Sequence, residues 1–368
     1  MDDPAAMSVH ARRSAVHASV ATALTALTDG QLRQLVSASQ VVGSGIGGHA
    51  RRLTVADAPV FVKQVPVNAR ESRADLRRAT GNPYGLPAFC HYGVGSPGLN
   101  VWRELAVHER ANAWVLTDTC AGFPLLHHWR FLAEAPTVGP PARDRVARED
   151  IDGLVAFWHG SAAVRARLEA NADATGCLLL FLEYVPDTLH DWLTARADAD
   201  PDGADAAFTG LGGDLLDAVA HMNRAGVWHF DSHLQNVLTD GARIHLADFG
   251  LALASDFDLT DAEVAFLARN RAHDVAYTVA QLVNWAVRTY TGVRSPADRN
   301  AIVRRAAAGD APGVLPPATR RFVQRHAEVA TVVNDFYWIL HGEHRDLPFP
   351  RDVVEAALGR VGLPVAPV

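Results

Sequence analysis

Trp228-His229-Phe230-Asp231-Ser232-His233-Leu234-Gln235-Asn236 follows a long helical pattern, and Ile244-His245-Leu246-Ala247-Asp248-Phe249-Gly250 comes soon after it. Asp231 and Asn236 stand five apart on a loop, and Asp248 ends a short apolar strand twelve residues later. One carboxylate beside a hydroxyl can take its proton. A second carboxylate and an amide oxygen can hold Mg²⁺ against phosphate groups. Phosphoryl transfer to a hydroxyl needs these groups, because its catalysis is mostly positioning and charge neutralisation. Gly250 frees the backbone to turn after Asp248. The plainer alternative is an arbitrary strand–turn–strand with two acidic turn residues.

Upstream, Gly43, Gly45 and Gly48 form a G-x-G-x-x-G pattern whose backbone could approach phosphates. Gly-rich hairpins are common, so alone the pattern says little. A Rossmann arrangement is excluded, since a strand pattern and no helix follows the glycines. Lys63 lies fifteen residues after Gly48, on the third strand of the same run. Of the 34 lysines and arginines it is the one lysine, in a composition whose arginine bias reflects GC-rich coding. An ammonium is a compact point charge, whereas guanidinium is broad and planar, so a tight site for a point charge would account for its retention. Chance survival is the alternative.

His229-x-Asp231-x-x-x-x-Asn236 followed by Asp248-Phe249-Gly250 resembles the catalytic-loop and metal-loop pair of the protein-kinase-like superfamily. The resemblance covers roughly residues 35–290. It implies Asp231 as catalytic base, Asn236 and Asp248 as Mg²⁺ ligands, and Gly43, Gly45 and Gly48 over the phosphates of ATP. Lys63 would hold the α- and β-phosphates and pair with a helical glutamate. Glu104 is the expected partner, with Glu109 next on the same helix; Glu71 is nearer in sequence but precedes a Gly/Pro-rich loop. Leu182-Glu183-Tyr184-Val185 resembles the kinase hinge, where backbone near Glu183 and Val185 would meet the adenine edge and Leu182 would be gatekeeper. A buried strand ending in a turn is the other possibility. Asp274 resembles the aspartate that supports the catalytic-loop backbone, or is simply a helix-start aspartate. His229 fits a packed loop histidine better than a general base.

The pattern departs from protein kinases in several places. Phe230 stands where many carry an arginine that pairs a phosphorylated loop, and His233 where a lysine is usual. Asp231-x-His233-x-x-Asn236 looks more like aminoglycoside and choline-type phosphotransferases, whereas Asp248-Phe249-Gly250-Leu251-Ala252 looks more like protein kinases, so the sequence sits between the two groups. Between Gly250 and Asp274 only 23 residues intervene, with no Ala-Pro-Glu motif, which puts a peptide-docking groove in doubt.

The elements that must position these residues change character along the chain. Residues 1–32 read as a helical extension, Ala15–Leu27 being too polar for a signal-peptide core and too short for a membrane span. Residues 33–67 read as strand, Gly-rich turn, strand, turn, strand. A helix with Asn100 as N-cap runs from Val101 to about Val115. Phe123–Leu132 and Cys177–Val185 suit strands, separated by an insertion, 133–175, with helical periodicity over 143–168. Ala195–Ala207 reads as a polar loop. Helices dominate from Asp187, at Leu189–Arg196, Gly212–Ala225, His273–Thr289, Asp298–Ala308 and Thr319–His341. The expected fold is α+β and bilobal, protein-kinase-like: a lobe at 33–185 with an antiparallel sheet and a helix, and a mostly helical lobe at 186–368, with ATP between them.

The net charge of −7 supplies no basic field for nucleic acid. Cys90, Cys120 and Cys177 are scattered without metal spacing, which fits a reducing compartment. His127-His128 and His341-x-x-His344 lack a third zinc ligand. A cytoplasmic ATP- and Mg²⁺-dependent phosphotransferase is expected, its acceptor a hydroxyl of a protein Ser/Thr or a small molecule. The alternatives are a nucleotide-binding interaction module without turnover, which usually lacks one of Lys63, Asp231, Asn236 or Asp248, and nucleotidyl transfer on the same fold.

Overall fold

The computed structural model describes residues 7–45, 48–93, 96–136, 148–342 and 344–366. The chain is α+β, with twelve α-helices among the described residues and an antiparallel five-stranded sheet. It divides into two compact units: Met1–Val185 with Phe249–Ala252 and Phe257–Thr260, and Pro186–Asp248 with Leu253–Asp256 and Asp261–Val368. No described helix is long and apolar enough to cross a membrane.

The first unit runs α1 (Val9–Thr25), α2 (Asp29–Ser37), β1 (Gln40–Gly45), β2 (Gly48–Val55), β3 (Ala58–Val67), α3 (Val101–Leu116), β4 (Leu126–Leu132), α4 (Arg148–Phe157), α5 (Ala162–Ala172) and β5 (Gly176–Glu183). The sheet order is β1-β2-β3-β5-β4. Alternation along each strand sends side chains to opposite faces. On β3 and β5, Val60, Val62, Leu179 and Phe181 pack with Val20 and Leu24 of α1 and Leu32 and Val36 of α2. Val65, Val67, Leu178, Leu180 and Leu182 meet Val101, Trp102 and Leu105 of α3 on the other face. Lys63 shares the parity of Val65 and Val67, so its side chain belongs to the α3 face.

Two sequence expectations fail here. Residues 33–37 are helical, not strand, because Thr28 and Gln31 form a reciprocal capping box and α2 runs on through Leu35-Val36. The helical stretch expected over 143–168 is two helices, interrupted where His159 and Gly160 take left-handed backbone (φ 56° and 70°). Residues 137–147 of the insertion lie outside the described residues. The β2–β3 turn is Ala56-Asp57, both at positive φ (47° and 62°), the backbone a two-residue hairpin needs.

The second unit runs β6 (Asp187–Thr188), α6 (Leu189–Ala199), α7 (Pro201–Arg224), β7 (Val227–Trp228), β8 (Val237–Thr239), β9 (Ile244–Leu246), β10 (Leu253–Ala254), α8 (Asp261–Asn270), α9 (His273–Thr291), α10 (Pro296–Ala307), α11 (Pro317–Gly342) and α12 (Arg351–Arg360). The polar stretch Ala195–Ala207 is mostly helix and not loop. Asp200 caps α7 through the Gly203 N–H, and Pro201 sits at the first helical position, where its missing N–H costs nothing. β8 and β9 pair antiparallel, Val237 opposite Leu246.

Candidate active site

In the first unit, Asn100 ends an extended segment and its side chain accepts the Trp102 N–H, starting α3. That start puts Glu104 in the first turn. There it meets Lys63: Nζ donates to Oε1 at 2.7 Å, with the two side chains 13% and 5% exposed. His108, one turn on, lies 3.8 Å from the same oxygen and packs edge-on against Phe249. The other two candidate acids are engaged elsewhere. Glu109 takes a two-point bond from Arg78 and the Trp129 indole N–H. Glu71 pairs with Arg167 at 2.7 Å and accepts the Val101 N–H. A half-buried to buried amine beside a carboxylate is fixed in position, which suits an anionic group.

Gly43 and Gly45 sit on β1 and Gly48 on β2, with Gly43 opposite Ala50 and Gly45 opposite Gly48; Ile46-Gly47 lie outside the described residues. A Cβ at Gly43 would meet only the Ala50 Cβ at 3.9 Å, an ordinary contact, so packing of the hairpin does not demand that glycine. Leu182 and Val185 are buried where β5 ends. The Glu183 N–H donates to the Leu125 carbonyl at 2.8 Å. The Glu183 carboxylate takes both Nε (3.0 Å) and Nη2 (2.7 Å) of Arg13.

Phe257–Thr260 belongs to the same unit. Phe257 is buried, and the guanidiniums of Arg103 and Arg110 lie over its ring at 5.6 and 5.2 Å. Asp258 and Thr80 exchange hydrogen bonds at 3.0 Å, and Arg103 Nε donates to the Thr80 carbonyl.

In the second unit, Asp274 organises the start of the 229–236 loop. It is wholly buried and accepts the backbone N–H groups of His229 (2.6 Å) and Phe230 (2.9 Å), Asn223 Nδ2 (3.0 Å) and His273 Nδ1 (3.1 Å). Burial opposes the Asp274 charge, but the hydrogen bond and charge of His273, with the His229 backbone N–H, outweigh it and hold the carboxyl below its usual range. The Asp274 role expected from the resemblance thus has a geometric counterpart. Phe230 and Asp248 both adopt left-handed backbone at φ 63°, strained for a side chain with a Cβ.

His229 is fully buried, which drives its basicity down, so it is a neutral hydrogen-bonding strut. Its Nε2–H donates to the Ala247 carbonyl (2.9 Å), and its Nδ1 accepts the Asp231 N–H (3.1 Å). Asn236 Nδ2 donates to the Asp231 carbonyl (2.9 Å) and carboxylate (3.1 Å), and the Asn236 carbonyl accepts the Ala247 N–H. His233 Nε2 lies 3.7 Å from Asp231 Oδ1. Burial pushes the Asp231 carboxyl above its usual range; His233 opposes the shift and the Asp248 charge adds to it. Asp231, Asn236 and Asp248 therefore form one cluster, brought together by the β8–β9 pairing. Phe230 packs on Phe266 and His273 with ring centroids 5.3 and 5.0 Å away.

Among the described residues no group of three His, Cys, Asp or Glu converges as a metal site. Arg13 and Phe257 did not figure in the sequence reading. An aromatic within the polar run Ser255–Thr260 was the available signal for Phe257; Arg13 carried none. No protein-family model matches the chain, and no curated protein matches it.

Proposed function

We propose that the chain is a protein-kinase-like phosphotransferase that moves the γ-phosphoryl group of ATP to a hydroxyl with Mg²⁺. The observation that carries this is the buried Lys63–Glu104 pair. The one lysine of an arginine-rich chain meets one of three candidate acids, and that acid is on the helix packed against its strand.

Asn236 spends its amide NH₂ on Asp231, which leaves Oδ1 as the oxygen it can offer a cation. With an Asp248 carboxylate oxygen it makes two hard donors, a set that fits Mg²⁺, whose remaining ligands are phosphate oxygens and water. Bound Mg²⁺ would neutralise charge on the transferring phosphates. Lys63 would hold the α- and β-phosphates, and Glu104 would keep the ammonium aimed. The acceptor oxygen attacks the γ-phosphorus, the bond to the β–γ bridging oxygen breaks, ADP leaves, and the acceptor proton passes to the Asp231 carboxylate. A carboxyl raised by burial is a better base for that proton than an exposed one. Asn236 orients it.

The test is ATP turnover against a panel of Ser/Thr peptides, aminoglycosides and amino alcohols, with Asp231→Asn as blank. ADP formation that depends on acceptor and falls about 10²–10⁴-fold in the blank is expected. Pyrophosphate as product would point to nucleotidyl transfer. Tight ATP binding with no turnover across the panel would favour the interaction module.

A further inference from the structure

Helix α1 is tied to the end of β5 by one side chain. Arg13 is 10% exposed and spreads its guanidinium over three partners. Nε and Nη2 fork the Glu183 carboxylate at 3.0 and 2.7 Å, Nη1 donates to the Ala121 carbonyl at 3.0 Å, and Nη2 also donates to the Phe123 carbonyl at 2.7 Å. Glu183 adds the Leu125 N–H at 3.1 Å on Oε2, while its own N–H donates to the Leu125 carbonyl. The result is a staple across residues 121–125 and 183, built from bidentate and charge-assisted bonds that fix geometry more firmly than neutral ones.

Seating α1 on the sheet does not require this staple. Val20 and Leu24 already bury α1 against β3 and β5. Arg13 lies beyond that apolar contact and grips the Glu183 carboxylate, just before Tyr184-Val185, together with the Ala121 and Phe123 carbonyls. With the Glu183 side chain forked and its N–H engaged, the peptide that follows has little freedom to rotate. We infer that Arg13 is a positioning residue for the adenine-binding segment, so that α1 is part of the nucleotide site. This inference rests on the phosphotransferase reading, which assigns backbone near Glu183 and Val185 to the purine edge.

The experiment compares wild type with Arg13→Gln, Arg13→Lys and Glu183→Gln. KM and kcat are measured with ATP and GTP, thermal unfolding is followed, and hydrogen exchange is read at residues 121–125 and 183–185. Arg13→Gln should raise KM for ATP about tenfold while kcat changes less than about threefold, and should narrow the preference for ATP over GTP. Exchange at Leu125 and Glu183 should speed up at least about tenfold. Arg13→Lys, keeping charge but not the fork, should fall between. If Arg13→Gln fails to fold, the other two variants supply the same split. An unchanged KM in the variants, or a kcat that falls in step with thermal stability at constant KM, overturns the inference while leaving the phosphotransferase reading intact. A wild-type protein that neither binds nor turns over ATP refutes that reading and this inference with it.

Discussion

Removing the Asp274 carboxylate should be among the most damaging single changes in the second unit. Asp274→Ala would strand two backbone N–H groups, the Asn223 amide and the His273 imidazole, all now bonded at 2.6–3.1 Å to a wholly buried side chain. A buried donor left without a partner costs about 1–3 kcal/mol. Water and side-chain movement would recover part of four such losses, so about 3–5 kcal/mol is expected in all. The left-handed backbone of Phe230 stores about 1–3 kcal/mol and is held by one of the lost bonds, so the loop should also relax out of its present course. Asp274→Asn keeps one acceptor oxygen but turns an NH₂ toward two of the donors, and should cost about half as much. Urea unfolding at neutral pH, with the denaturant slope shared among variants, gives the measurement. Turnover well below the unfolding transition should fall further than the unfolded fraction explains. A cost under about 1 kcal/mol for Asp274→Ala would refute the assignment of Asp274 as the buried acceptor for this loop.

Lys63→Arg conserves charge but not shape, and should lower kcat/KM for ATP at least about tenfold; wild-type turnover would make the lone lysine an accident of composition. His127 sits 5% exposed beside His17, Arg13 and Glu183, and burial first, then His17, pulls its pKa from 6.5 to about 4. The unfolded chain therefore takes up a proton below 6.5 that the native state refuses until about 4, and stability falls as pH drops through that window. Between pH 7 and pH 5 the loss is about 2 kcal/mol, and His127→Phe should flatten it in a urea titration at the two pH values. Because Phe257 anchors the segment after Gly250 by packing, protein freed of phosphate by a broad phosphatase should keep its rate within about tenfold. Phe257→Ala should destabilise by about 3–5 kcal/mol. A rate restored only by preincubating dephosphorylated protein with ATP would show a phosphorylation switch instead.

What could be read from sequence was local, and what could not was long-range. Asn100 announces α3 because an N-cap acts within three residues. The partner of Lys63 could be ranked from sequence, Glu104 ahead of Glu109 and Glu71, but not fixed, since the pairing depends on strand parity and on which turn of α3 meets β3. Leu35-Val36 looked like strand because apolar pairs fit either element, and the Thr28–Gln31 capping box that settles it lies upstream. Asp200-Pro201 was a legible helix start, yet the surrounding Ala/Asp-rich composition hid it. Helices α8 and α12 went unforeseen. Arg13 reaches a partner 170 residues away, a separation at which no spacing rule operates.

The first unit is not a continuous stretch of chain, since it includes Phe249–Ala252 and Phe257–Thr260. Phe249 is fully buried against His108 and Phe123, and Phe257 lies under Arg103 and Arg110. During synthesis, at about 5–20 residues per second, α3 and its sheet emerge several seconds before either ring exists. For that interval Phe123 and the α3 side chains His108, Arg103 and Arg110 lack the rings that pack on them in the folded unit. A fragment cut at Val185 would carry the same gap permanently, and should be expressed as a molten or aggregating species unless a peptide spanning 249–260 is supplied in trans.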